Sequence, residues 1–79
     1  MINDTPIRKG IYQHFKGKLY RVLGEGLHTE DMTMFVIYEP LYECAEDLFV
    51  RPKSMFTEVL PDGTPRFKFI RDEYLPDFD

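Results

Sequence analysis

Tryptophan is absent from the 79 residues, cysteine occurs once, at Cys44, and no apolar run approaches the ~18 residues that a membrane span requires. A single cysteine excludes an internal disulfide and any cysteine cluster around a metal within one chain, and it suits a reducing compartment. Met1 to Lys9 lacks the apolar core of a signal peptide, so a soluble, cytoplasmic protein without membrane association is expected. Positive charge is also missing over a long stretch. Between Arg21 and Arg51 there is no Lys or Arg, while seven acids stand there: Glu25, Glu30, Asp31, Glu39, Glu43, Glu46 and Asp47. The ten basic residues divide evenly between Arg8–Arg21 and Arg51–Arg71, and the acids of residues 1–71 match them in number. The net charge of −4 therefore belongs to Asp72, Glu73, Asp77 and Asp79, and residues 72–79 read as a solvated acidic tail.

What is present is bulk for one small core. A chain of this length buries only roughly 60% of its unfolded surface, and its seven Phe, five Tyr and four Met must do most of the filling. Residues 1–9 show no period and read as a flexible lead-in, which leaves 10–71 as the folded domain.

The domain starts with a hairpin. Gly10 to Phe15 and Lys18 to Leu23 are strand-like runs on either side of Lys16-Gly17, and Gly17 can take the positive φ of a tight turn. A two-residue loop sets Ile11, Phe15, Tyr20 and Val22 on one face and Tyr12, His14, Leu19 and Arg21 on the other. A bulge at Gly17 shifts the register by one and exchanges the partners. The second strand runs on towards His28, and Gly24 and Gly26 mark a bulge or bend. Residues 28–33 form a polar loop, and Met34 to Tyr38 is the most strand-like run, ended by Pro40.

Beyond it, an acidic connector leads to a short strand at Leu48–Arg51, where Phe49 and Arg51 share a face. Pro52 to Phe56 suits one turn of 3-10 helix, with Met55 and Phe56 plugging an open end. Thr57 to Leu60 is a candidate short strand, and Pro61-Asp62-Gly63 a turn. Arg66 to Ile70 alternates, Phe67 and Phe69 inward, Arg66 and Lys68 outward. Five to six short antiparallel strands with one 3-10 turn predict an all-β, SH3-like barrel.

Five groups of residues carry a family resemblance. They are Gly10–Gly17 with Tyr20 and Val22-Leu23-Gly24; His28-Thr29-Glu30; Val36-Ile37-Tyr38 with Leu41-Tyr42; Phe49-Val50-Arg51-Pro52 with Met55-Phe56; and Pro65-Arg66-Phe67 with Ile70. In this order and spacing they resemble the small bacterial family catalogued as domain of unknown function 1653, over roughly residues 10 to 70. The resemblance implies an SH3-like barrel and brings no established activity with it. Members often carry Ser where Thr29 stands and Trp where Phe49 stands, and the second change removes an indole donor.

Three constellations bear on chemistry. His28-Thr29-Glu30 sets an imidazole and a carboxylate two residues apart, and a metal-assisted or hydrolytic activity through His28 and Glu30 needs a further ligand, such as His14 or Glu39. The simpler reading is a polar loop whose Thr29 or Asp31 bonds nearby backbone. No Ser or Cys stands beside a base, and the acids around Cys44 disfavour its thiolate, so an enzyme is not expected, nor a cofactor or a metal. Tyr12, His14, Arg21, Phe49 and Arg51 form the second set, aromatic and cationic residues on outer strand faces suited to stacking a ring or binding a ligand. Lys16, Lys18, Arg66 and Lys68 are the third, a candidate basic strip for nucleic acid, or else a solvated face that discourages edge pairing. The segregation of acidic and basic stretches also offers a route for two copies, or a protein partner, to meet. The reading as a whole is a binding module for a small ligand, nucleic acid or protein.

Overall fold

The turn that reverses the chain after His14 sets the register of everything built upon it. In a computed structural model describing residues 5–72, the Gly17 N–H donates to the His14 carbonyl (2.7 Å) and the His14 N–H to the Lys18 carbonyl (2.8 Å). The loop is therefore three residues, Phe15-Lys16-Gly17. Gly17 supplies the left-handed position at φ 111° that such a loop needs. Strand β1 (Gly10–His14) and strand β2 (Leu19–His28) then pair as Gly10↔Val22, Ile11↔Arg21, Tyr12↔Tyr20 and Gln13↔Leu19. The two-residue loop is thus corrected to the bulged alternative. With a side-chain period of two, one residue of slip reverses the faces. Tyr12, Tyr20 and Val22 share the inner face, and Ile11 and Arg21 the outer.

β2 changes parity once more along its length. Its pairing with β3 (Thr33–Pro40) shifts between Val22 and Gly24, so Val22 faces Tyr38 but Glu25 faces Val36. The extra residue puts Glu25 on the inner face, where a regular strand would have placed Gly24. β4 (Phe49–Pro52) pairs with β3, and β5 (Phe67–Arg71) returns to pair with β1, giving the order β4-β3-β2-β1-β5. The result is all-β: five antiparallel strands in one open sheet, whose edge strands β4 and β5 are not hydrogen-bonded to each other.

Between the edges lies α1 (Lys53–Phe56), started by Pro52 and held by the Thr57 N–H on the Lys53 carbonyl (3.0 Å). The expected 3-10 turn is one turn of α-helix, because this bond spans four residues. Phe56 is its buried residue, while Met55 is exposed and does not plug the sheet. The short strand expected at 57–60 reduces to one bridge, Val59↔Pro65, across the turn at Gly63.

The core gathers Tyr12, Val22, Val36, Tyr38, Phe56 and Phe67 on the inner face. Phe56 stacks on Phe67 (centroids 4.0 Å, planes 8° apart) and meets Tyr12 and Tyr38 edge-on, each at 5.3 Å. Side chains, not a backbone ladder, join the two edges. The segment before β1 lies against the far end of this core. The Ile7 N–H and the Lys53 ammonium both reach the Glu25 carboxylate, Lys53 at 2.9 Å, and Lys53 also donates to the Thr5 carbonyl (2.6 Å). Burial raises the Glu25 pKa, but these donors outweigh it and hold the group below its ordinary value.

Candidate functional site

The inner face is sealed at the Phe56 end and open at the end nearest the β1–β2 turn. There the rings of Tyr20, Tyr38, Phe49 and Phe67 meet. Tyr20 lies edge-on to Tyr38 (5.3 Å) and to Phe67 (5.7 Å), and Phe49 packs on Tyr38 (5.7 Å) and Tyr20 (6.1 Å). A cleft of about 420 Å³, lined by Tyr20, Tyr38, Leu48, Phe49, Val50 and Arg51, opens beside them. Tyr38 is buried, but Tyr20 and Phe49 are only half-buried, and Leu48 and Val50 are exposed at 53% and 63%. From the connector before β4, Tyr42 reaches over to share a hydrogen bond with the Tyr20 hydroxyl (2.9 Å). Burial first, and then this bond, push the Tyr20 phenol far above the usual tyrosine range, so it stays protonated. The Lys18 ammonium sits 4.4 Å from the Tyr42 ring centre, a cation–π contact at the rim.

Arg51 is the charged group of the cleft. Its position opposite Val36 in the β3–β4 ladder turns it to the inner face, and Phe49, opposite Tyr38, turns the same way. Nε donates to the Tyr38 hydroxyl (3.1 Å), and the guanidinium carbon stands 5.4 Å from the Phe67 ring centre. Among the described residues no carboxylate pairs with Arg51, although Arg8, Arg21, Lys53 and Arg66 each have one. His14 joins from β1, edge-on to Phe67 at 4.9 Å. Its Nδ1 accepts the Lys16 N–H (3.1 Å), which leaves the proton of the neutral ring on Nε2. Burial, and then the charges of Arg51, Arg66 and Lys16, hold its pKa below the ordinary 6.5.

The family comparison accords with this architecture. The sequence profile of the family described as "Protein of unknown function (DUF1653)" matches residues 10–69. The chain belongs to this family. A crystal structure of a DUF1653 protein from Bordetella bronchiseptica is similar to it, with a TM-score of 0.74 and 29% identity over 90% of this chain and 95% of that one. No curated protein matches.

Of the five outer-face residues read from the sequence of this DUF1653 domain, the structure brings together three, His14, Phe49 and Arg51, and on the inner face. Tyr12 is a core residue at 7% exposure, its hydroxyl donating to the Arg8 carbonyl (2.7 Å). Arg21 lies on the opposite face, ion-paired with Glu39. The one-residue slip at Gly17 turns β1 over and carries Tyr12 and His14 inward, while Arg21 keeps the outer face read for it and so parts from them. Tyr20, Tyr42 and Phe67 were missed as site members. Tyr20 was findable through the bulged register, whereas Tyr42 reaches Tyr20 by a loop path with no period to read. Of the four basic residues, Lys16 and Arg66 both approach the Phe15 ring, at 5.8 and 5.9 Å. Lys16 is in the turn, Lys18 on Tyr42, Arg66 on Glu58 at 2.8 Å, and Lys68 faces outward opposite Gln13. His28, Thr29 and Glu30 are all exposed, and the His28 imidazole meets Asp31 (Nδ1–Oδ1 3.1 Å), not Glu30. Among the described residues no three His, Cys, Asp or Glu side chains are grouped to hold a metal ion.

Proposed function

We propose that this DUF1653 domain is a non-catalytic binding module that takes a planar, ring-bearing ligand into the cleft where Tyr20 and Phe49 stand beside Arg51. The observation that carries the reading is the half-exposure of these rings. Tyr20 and Phe49 keep surface open to a cavity of ligand size, which they line together with the half-buried Arg51. Ring stacking contributes about 1–3 kcal/mol per contact by truncation. The fold supports the same reading. The strand order, with a helical turn before a last strand that returns to the first, is the basis for describing the bent sheet as SH3-like. A lone, exposed, free cysteine favours the bacterial cytoplasm as the place where the module works.

The test is a titration of the isotope-labelled domain with ring compounds, following backbone and side-chain NMR signals. Shifts concentrated at Tyr20, Phe49 and Arg51 are expected, and Phe49→Leu should weaken binding at least fivefold. Signals at the cleft that stay still across the panel would sink the reading.

A further inference from the structure

Arg51 is held on the inner face with one of its donors on Tyr38 and no carboxylate partner among the described residues. A half-buried cation in that position calls for a counter-charge, because partial removal from water is offset only by pairing. Arg51 lines the cleft beside Tyr20 and Phe49. We infer, on the basis of the binding reading above, that the ligand is a nucleotide: a base against Tyr20 and Phe49, and a phosphate on Arg51.

Charge favours a phosphate over a carboxylate. Arg51 has no carboxylate partner among the described residues, and the Lys18 ammonium stands over Tyr42, whose hydroxyl bonds Tyr20 in the cleft wall, so a second cation lies at the rim. A phosphate monoester carries about −1.5 to −2 at pH 7 and can accept from several donors at once, whereas a carboxylate carries a single charge. Arg51 offers it a planar fork of donors, of which Nε is engaged on Tyr38. The base has its own surface in the exposed flanks of Leu48 and Val50 and the half-exposed rings. Two sources share this chemistry, a free nucleotide and one unit of a single strand.

The experiment compares uridine and adenosine with their 5′-monophosphates and with a single-stranded hexanucleotide, each titrated into the labelled domain and into Arg51→Gln. Monophosphates are expected to move the cleft signals with affinity about tenfold or more above that of the nucleosides. Arg51→Gln should erase that preference, so that in the variant the monophosphates bind no more tightly than the nucleosides. If Arg51→Gln loses its dispersed spectrum, Arg51→Lys takes its place, and its loss of the bidentate fork should cut the preference severalfold. A hexanucleotide that binds more tightly, with a steep salt dependence, assigns the ligand to a strand; equal affinity assigns it to the free nucleotide. Nucleosides that bind as tightly as monophosphates, or a preference untouched in both variants, overturn the phosphate assignment and leave the cleft reading standing. Cleft signals that respond to none of these ring compounds overturn both.

Discussion

Phe56→Ala removes the ring on which the two edges of the sheet are joined. That side chain is 1% exposed, stacked on Phe67 and edge-on to Tyr12 and Tyr38. Truncating a buried Phe costs about 3–5 kcal/mol, a figure that includes the cavity left behind. A domain of this length has roughly 4–12 kcal/mol of total stability, so the loss is a large share of it. At about 4–8 °C per kcal/mol the melting temperature should fall by roughly 12 °C or more, and at the upper end the variant is unfolded at room temperature. Phe56→Leu keeps most of the volume and should cost only about 1 kcal/mol, which keeps the measurement on scale. Far-UV circular dichroism and tyrosine fluorescence serve as probes, the latter free of tryptophan background. A drop of less than about 5 °C for Phe56→Ala would refute the reasoning: the edges would then be held by something other than this stack.

Four further outcomes follow from the geometry. Gly10→Ala should destabilise by about 1–3 kcal/mol, since a Cβ there would lie 2.6 Å from the Arg71 carbonyl oxygen at φ 145°, while Gly17→Ala, with nothing near its Cβ, should lose only about 1 kcal/mol to backbone strain; urea midpoints compare the two. Glu25→Gln should lower stability at pH 7, and the gap to the parent should close as pH falls. A carboxylate with a depressed folded pKa stabilises above its unfolded value, 4.5 here, and loses that contribution as pH drops through the folded one, so unfolding at pH 7 and pH 3 decides it. His14 runs in the same direction at higher pH. Its neutral form is favoured by the fold, so its contribution is full above about pH 6.5 and fades as pH falls through the lowered folded pKa; Arg51→Gln should raise that pKa in an NMR titration. Arg66→Gln removes an exposed ion pair with Glu58 and should shift the melting temperature by no more than a few degrees.

Much of this fold was legible in the sequence because strand signals here are local. The alternation of Phe67, Lys68 and Phe69, the run Phe35–Tyr38, and the bend at Gly24 all appear where their residues put them. Register was harder. Lys16-Gly17 is compatible with two loop lengths, and the choice turns on a hydrogen bond from Gly17 to His14 that no side chain announces. That one residue moved Tyr12 and His14 to the inner face and left Arg21 on the outer one. Phe49 and Arg51 were paired correctly on one face, yet which face depended on how the sheet bends, a property of all five strands together. The clustering of rings around Arg51 is likewise tertiary: Tyr20, Phe49 and Phe67 are far apart in the chain and meet only because β5 returns beside β1. Residues Glu73 to Asp79 of the acidic tail lie outside the described residues.

That return has a consequence in time. β1 is complete at His14, but the strand that covers its second edge begins only at Phe67. At synthesis rates of about 5–20 residues per second, the two are separated by roughly 3–10 s. Throughout that interval β1 presents unpaired backbone groups along that edge, and Phe56, once made, still lacks the Phe67 ring on which it stacks. The sheet grows outward from its hairpin as the chain emerges, and the step that joins its two edges waits for β5.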